Sequence, residues 1–478
     1  MQQLRTFLNI RNGGNLVSEI AINQKGKTKK AKRDNIFTIF KNGDLFTRLS
    51  FIIMGLGNIA RKQFVKGLIY LGIEIGFLYF LATIGIQKLQ GLITLGTQTQ
   101  GWVLDETLGI EVLSQGDNSM LFLLYGVCTL VLTAVFLIIY VSNIYSAKNV
   151  QDIVQKGEHV PSLKEDIKEL LDNKFHITLM TIPLIMVTVF TVLPLIYMIL
   201  IAFTNYDKDH QPPGALFNWV GFANFKDMLF SSSSFSHTFF PVLGWTLIWA
   251  VLATVTCYFG GIVLAILINK EGIKLKKMWR TIFVITMAIP QFITLLVVRQ
   301  MLMDYGPLNG ELIGWGLISE FIPFLTKPMY ARIVVIVVNF WIGVPYTMLI
   351  TSSILMNIPK ELYEAAEIDG ASPIKAFIKI TMPYVFFVTA PYLITQLIGN
   401  INNFNVIYFL TKGEPLATDY YFAGKTDLLV TWLYKLTVNY KDYSRASVIG
   451  IAVFVISVII SLVTFNLTAS SKNEEDFQ

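Results

Sequence analysis

The sequence is poor in charge, histidine and cysteine. Asp, Glu, Lys and Arg make up 15% of its 478 residues, whereas a soluble globular protein carries about 25%. There are too few polar residues to cover a water-facing surface, which excludes a soluble enzyme and a disordered chain. Cys128 and Cys257 lie inside apolar runs and the four histidines show no ligand spacing, so we expect no disulfide framework, metal site or cofactor. The first thirty residues contain no apolar stretch, so we expect no cleavable signal peptide.

Apolar runs dominate the chain instead, and 54% of its residues are hydrophobic. A bilayer core about 30 Å thick is crossed by about 20 helical residues, each rising about 1.5 Å. Run lengths therefore predict an all-α, multi-pass protein of the cell membrane with about eight transmembrane helices. The runs that are long enough are 64–86, 119–142, 177–203, 241–268, 281–303, 330–354, 384–410 and 446–468.

The basic residues are distributed unevenly between the loops. If the N-terminus is cytoplasmic, the inside segments carry 26 Lys and Arg and the outside segments carry 9. Cytoplasmic loops of membrane proteins are enriched in Lys and Arg, so we expect both termini to be cytoplasmic. The net charge of +6 then reflects orientation and does not indicate nucleic-acid binding.

Residues 1–63 form a basic segment that this orientation places in the cytoplasm. It contains a concentrated basic run from Lys25 to Arg33. Such a run either contacts anionic lipid headgroups or acts only as an orientation signal, which is the more common use of basic flanks.

The loop between the sixth and seventh spans, residues 359–383, has the signals of two short helices. Pro359 favours a helix start, and Gly370 favours its end because a left-handed residue is easiest there. Ser372 suits the N-cap of a second helix that Pro383 closes. We expect a thin, rigid projection suited to insertion into a groove on another protein.

This loop resembles the EAA loop of type I binding-protein-dependent ABC importer permeases. That pattern is Glu-Ala-Ala, three residues, Gly, nine residues, Ile, any residue, Leu and Pro, and here Met382 replaces the Leu. The other matching residues are Glu364, Ala365, Ala366, Gly370, Ile380 and Pro383. The resemblance implies the type I ABC importer permease fold and a loop that docks on an ATPase. The implied coupling residues are Glu364, Ala365, Ala366, Asp369 and Gly370.

The chain has no phosphate-binding loop of its own. That motif reads Gly-x-x-x-x-Gly-Lys-[Ser/Thr], and the two Gly-Lys-Thr triplets have Ala21 and Asp419 at the first-glycine position. We therefore expect a transport subunit that is not an enzyme, with ATP hydrolysed by a separate nucleotide-binding subunit.

Two helix faces within the spans carry uncharged polar side chains, which are unfavourable at membrane depth and are usually functional. Amides and a phenol without formal charge suit a neutral polyhydroxyl ligand. The alternative is that the amides only hold helices together, and the residues alone leave both interpretations open. The residues are Asn339, Gly343 and Tyr346 in the sixth span and Gln396, Asn400 and Asn403 in the seventh.

Both stretches resemble the sugar-contacting segments of the larger permease subunit of maltose/maltodextrin importers, as does the outer segment from Thr426 to Tyr434. The resemblance implies a permease core over 177–470, most similar over 241–468, and an accessory pair of helices over 64–142. It implies import of maltose or maltodextrin. The implied sugar contacts are Asn339, Ile342, Gly343, Tyr346, Gln396, Gly399, Asn400 and Asn403.

Two departures from that family matter. Gly399 stands where the best-known relative has an aromatic ring, which leaves the exact sugar open. The outer loop 204–240 is short, which fits a Gram-positive bacterium with a lipid-anchored binding protein. The implied partners are a second permease subunit (MalG-like), a pair of ATP-binding subunits and an extracellular sugar-binding lipoprotein.

Other functions are weighed against this one. The nearest alternative is the same kind of importer for another neutral oligosaccharide, such as a raffinose-type sugar. An ion-coupled secondary transporter would be expected to show internal repeats and intramembrane acids in pairs. A membrane-embedded enzyme would need a catalytic constellation in the spans, and none is visible.

Overall fold

A computed structural model describes residues 35–105, 109–270 and 272–467. The basic run from Lys25 to Arg33 lies outside these residues. The chain divides into two compact units. The first comprises the residues up to Lys88 with Cys128–Val187, and the second comprises Leu89–Val127 with the residues from Thr188 onward.

Nearly all regular structure in the described residues is helical. The helices before the third long span are α1 (Ile36–Asn42), α2 (Leu45–Leu49), α3 (Leu56–Ile59), α4 (Phe64–Phe80), α5 (Ile86–Thr94), α6 (Ser119–Gln155) and α7 (Leu163–Leu171). Those that follow are α8 (Phe175–Val187), α9 (Leu193–Ile201), α10 (Ala223–Phe230), α11 (Ser234–Asn269), α12 (Lys276–Ala288), α13 (Gln291–Met301), α14 (Pro307–Gly314), α15 (Pro328–Leu355), α16 (Lys360–Ile368), α17 (Pro373–Ala376), α18 (Met382–Ile401), α19 (Phe404–Leu410), α20 (Leu429–Val438) and α21 (Tyr443–Leu467). Five-residue π-helical turns join α4 to α5, α8 to α9 and α17 to α18.

The predicted all-α membrane protein is confirmed. Within the described residues, seven helical stretches are long and apolar enough to cross a membrane, and α12 with α13 makes an eighth if the pair is one span. This pair is bent by 89°, so the fifth run, 281–303, is not one straight helix. The bend follows from Pro290, because Ile289 before it is extended (φ −80°, ψ 125°), as residues preceding proline prefer.

A two-stranded hairpin, which the sequence analysis did not predict, lies between the first two spans. Strand β1 (Gly101–Asp105) pairs antiparallel with β2 (Ile110–Ser114), with Trp102 opposite Leu113.

The first unit folds the described part of the N-terminal segment around Arg61. Its guanidinium pairs with Asp44 at 2.6 Å, and the same carboxylate accepts from the Thr47 N–H at 2.9 Å and caps α2. Burial raises the pKa of Asp44, but the hydrogen bonds from Thr47 and Arg61 outweigh it and hold that pKa below its usual value. Glu74, in the first span, accepts from the Met54 N–H at 2.8 Å.

The second unit is organised around α11, which packs along α15 and α18. The loop between α19 and α20 is fixed by Asp427, whose carboxylate is fully buried and lies 2.5 Å from the ammonium of Lys435. It also accepts from the N–H of Gly424 at 2.7 Å. Burial raises the pKa of Asp427, and Lys435 partly offsets that rise.

Candidate functional site

A cavity of about 220 Å³ lies inside the second unit, between α11, α13, α15 and α18. Seven of the eight predicted sugar contacts line it, and Gly399 does not. No Asp, Glu, Lys or Arg is among the described residues of its wall. The predicted residues that the cavity brings together are Asn339, Ile342, Gly343, Tyr346, Gln396, Asn400 and Asn403.

Close packing of α15 against α11 forms one wall. A Cβ on Gly343 would lie 2.5 Å from the sulfur of Cys257, and one on Gly261 would lie 2.4 Å from the Cβ of Thr347. Both distances are shorter than any tolerated contact, so only glycine allows the two helices to approach this closely. The Asn339 amide donates to the Cys257 sulfur at 3.4 Å, which fixes its position at the cavity wall.

Asn400 and Asn403 are held by the protein itself. Asn400 donates to the hydroxyl of Thr254 at 3.0 Å, and its side-chain oxygen accepts from Asn403 at 3.3 Å. The Asn403 oxygen in turn accepts from the Val406 N–H at 3.2 Å and caps α19. The indole N–H of Trp249 donates to the Asn400 carbonyl at 3.1 Å. These two amides therefore support the break between α18 and α19 in addition to facing the cavity.

Gln396 and Tyr346 differ from Asn400 and Asn403 in the exposure and bonding of their side chains. Both side chains are exposed at the cavity, and neither makes a side-chain hydrogen bond with another described residue. Their donors and acceptors are available to a ligand. Together they offer an amide and a phenol from two facing helices.

Seven further residues line the cavity, and the sequence analysis missed them. Thr254 was missed because threonine in a helix ordinarily bonds its own backbone, as its hydroxyl does here to the Ala250 carbonyl at 2.7 Å. Gln291 follows the Pro290 bend, and an amide beside a proline inside an apolar run was a signal that could have identified it. The set is Thr254, Cys257, Tyr258, Gln291, Thr347, Tyr392 and Leu393.

The predicted coupling loop forms α16, a turn and α17. Gly370 has φ 72°, the left-handed conformation expected of it, and the Ser372 side chain accepts from the Lys375 N–H at 3.3 Å as the N-cap of α17. Pro383 does not close this helix, because helical structure continues from Pro373 to Ile401. The π-helical turn shifts the hydrogen-bond register just before Pro383, where the missing N–H is tolerated.

The loop packs against the membrane helices through Phe377, whereas most of α16 is exposed. The hydroxyls of Tyr363 and Thr381 lie 2.8 Å apart. Ile368 is 86% exposed at the tip, which leaves an apolar surface beside the acidic residues. Of the predicted coupling residues, Ala366 is half-buried, and the exposed ones are Glu364, Ala365, Asp369 and Gly370.

Comparison with known proteins identifies the family. The model of the binding-protein-dependent transport system inner membrane component matches residues 258–470. The maltodextrin transport system permease protein MdxF of Bacillus subtilis is 36% identical over 435 residues, 89% of this chain and 95% of that one. The galactooligosaccharides transport system permease protein GanP of the same organism is 34% identical over 427 residues, 88% of this chain and 97% of that one.

A solved structure supports the fold. One chain of a bacterial ABC transporter that imports the acidic polysaccharide alginate superposes with a TM-score of 0.51 at 24% identity, covering 63% of this chain and 97% of that one. With an EAA loop, eight predicted spans and relatives aligned over nearly its whole length, the chain belongs to the binding-protein-dependent transport system inner membrane components, the permease subunits of ABC importers.

Proposed function

We propose that the chain is the transmembrane permease subunit of an ATP-driven importer of maltose and maltodextrins. The observation that carries the proposal is an intramembrane cavity lined by amides, phenols and hydroxyls without an Asp, Glu, Lys or Arg among its described residues. A neutral sugar offers many hydroxyls, which such a wall can pair. The similarity to MdxF, a maltodextrin transport system permease protein, supports maltodextrin in particular.

Within this proposal, Gln396 and Tyr346 contact the sugar directly, because their polar groups are not used by the protein. Asn339, Asn400 and Asn403 shape the wall and offer their remaining hydrogen-bonding capacity, and Ile342 and Gly343 complete the surface. Gly399 contributes no side chain and lies outside the cavity wall.

The 359–383 loop is proposed to couple this path to a pair of separate ATP-binding subunits. Its exposed acidic and apolar tip suits a groove on such a partner. A second permease subunit and an extracellular sugar-binding lipoprotein would complete the importer. Both termini are proposed to be cytoplasmic, with 64–142 as an accessory pair and 177–470 as the permease core.

A Gram-positive origin fits the short outer loop and the Bacillus relatives. In that setting the binding protein would be anchored to the outer surface of the membrane by lipid, since no periplasm confines it.

The substrate is tested by uptake of labelled maltodextrin in cells that lack the chain and in the same cells with the chain restored. We expect uptake only with the chain, and competition by unlabelled maltodextrin. GanP makes galacto-oligosaccharide the comparison sugar. Competition by that sugar, or by raffinose, with none by maltodextrin would refute the proposed substrate.

A further inference from the structure

A second, apolar groove lies on the second unit between α11, α12 and α15. Its volume is about 890 Å³, comparable with pockets that hold drug-sized ligands. It shares no lining residue with the sugar cavity. Apart from two threonines and a glycine its wall is apolar, with side chains such as Phe259, Val263, Leu267, Ile282 and Phe340.

The groove is about as long, measured along α11, as one membrane leaflet is thick. Along α11 it extends from Thr256 to Leu267, a rise of about 16 Å at 1.5 Å per residue. Half of a hydrocarbon core of roughly 30 Å is about 15 Å. An acyl chain of one leaflet therefore matches it in length as well as in chemistry.

Basic residues stand at the Leu267 end. Residues 270–280 connect α11 to the start of α12 and contain five Lys or Arg and one acid; that acid, Glu271, lies outside the described residues. Lys276 donates to the Asn269 carbonyl at 2.9 Å, and Arg280 donates to the Asn269 side chain. These two cations hold the connection against the end of α11.

The other three cations, Lys270, Lys274 and Lys277, are exposed. Within the described part of the chain, none of them forms an ion pair with a carboxylate. Exposed apolar side chains lie between and beside them, including Leu275 and Trp279. Lysine interleaved with tryptophan and leucine is the composition of a segment that lies at a membrane surface.

We propose that this groove, together with Lys270 and Lys274 in the connection before α12, forms one binding site for an anionic phospholipid. Its acyl chains lie along Val263, Leu267 and Ile282, and its headgroup phosphate contacts Lys270 and Lys274. Lys277 is not part of the site, because it lies on the face of α12 opposite Ile282 and Thr286. The lysines attract a net negative headgroup, whereas a zwitterionic one gains little from them. The bound lipid would fasten α12 to α11.

Photoreactive lipids test this site directly. The chain, purified with the subunits that accompany it, is placed in nanodiscs with equal amounts of phosphatidylglycerol and phosphatidylcholine of the same acyl length. One of the two carries a photoreactive acyl chain, and the labelled peptides are identified by mass spectrometry. We expect phosphatidylglycerol to label 259–267 and 282–286 in preference to phosphatidylcholine.

Two matched pairs of variants test the headgroup contacts and the acyl-chain groove separately. Lys270→Gln with Lys274→Gln should reduce the preference for phosphatidylglycerol roughly five-fold per lysine, or about thirty-fold for both. Lys164→Gln with Lys168→Gln, equally exposed in α7, should leave it unchanged. Val263→Trp should abolish labelling by both lipids, whereas Val255→Trp, exposed on the same helix outside the groove, should not.

Two results would overturn the proposal. Equal labelling by the two lipids would show that the lysines select no headgroup. Absence of lipid adducts, together with cross-linking of Val263→Cys to another subunit, would assign the groove to a protein partner.

Discussion

Asn400→Ala should destabilise the subunit and Gln396→Ala should not, whereas both should reduce transport. Asn400 gives up two side-chain hydrogen bonds, to Thr254 and from Asn403. At about 0.5–1.5 kcal/mol each, their loss should destabilise the subunit by roughly 1–3 kcal/mol. Gln396 is exposed at the cavity, so its truncation should change stability by about 0.5 kcal/mol or less.

Both variants should slow sugar uptake, because each removes a hydrogen-bonding group from the cavity wall. An unpaired sugar hydroxyl costs about 1–3 kcal/mol, which corresponds to roughly five- to hundred-fold slower uptake at limiting sugar. Melting temperature in detergent, assembly with the partner subunits and initial uptake rate should be measured on the same preparations. Thr395→Ala, whose hydroxyl bonds its own helix at the Pro391 carbonyl, is a matched control expected to leave uptake unchanged.

Gln396→Ala is the decisive variant. Reduced uptake with unchanged melting and assembly would support sugar contact. A fall in melting temperature with normal uptake would show that this amide only supports helix packing, and the cavity would then need another explanation.

Three further predictions follow from named contacts. Gly370→Val should abolish sugar-stimulated ATP hydrolysis without loss of membrane insertion, because φ 72° is strained for a β-branched residue. Ala371→Val should retain this ATP hydrolysis. Equal ATP hydrolysis by the two variants would contradict coupling through this turn. Gly343→Ala should destabilise the subunit by about 1–3 kcal/mol through overlap with Cys257, and adding Cys257→Ala should restore the melting temperature. A melting temperature that stays low in the double variant would show that the overlap with Cys257 is not the cause. Asp427→Ala should destabilise the subunit by about 3–5 kcal/mol, because it leaves Lys435 buried without its partner. Asp419→Ala, which breaks an exposed pair with Lys425, should cost less than about 1 kcal/mol. Similar melting temperatures for these two variants would refute the argument from burial.

Hydrophobic length made the membrane helices predictable. A run such as 330–354 needs about 20 apolar residues whatever it packs against, and α15 covers it. Local chemistry also predicted the turn at Gly370 and the cap at Ser372, because both depend on residues close in sequence.

Bends were harder to predict from run length. Pro290 interrupts an apolar run without shortening it, so counting residues placed one helix where there are two. At Pro383 the opposite error occurred, because a π-helical turn allows the helix to continue past a proline. Neither the bend at Pro290 nor the register shift before Pro383 is encoded in the apolar pattern alone.

The sequence predicted only the part of the cavity wall that the two amide-bearing spans contribute. Spacing placed Asn339 and Tyr346 on one face, but which helix stands opposite depends on tertiary packing. The contributions of Thr254 and Cys257 from α11 followed only from the close approach at Gly343. The double role of Asn400 likewise required its partners to be known.

The most direct test of the central claim is the initial rate of labelled maltodextrin uptake in cells lacking the chain. The wild-type chain is compared with a Tyr346→Ala, Gln396→Ala variant, at equal membrane levels and with equal assembly. We predict that the wild type restores uptake and that the variant, which loses two contacts, is slower by about thirty-fold or more. Equal uptake by the two would contradict sugar passage through this cavity.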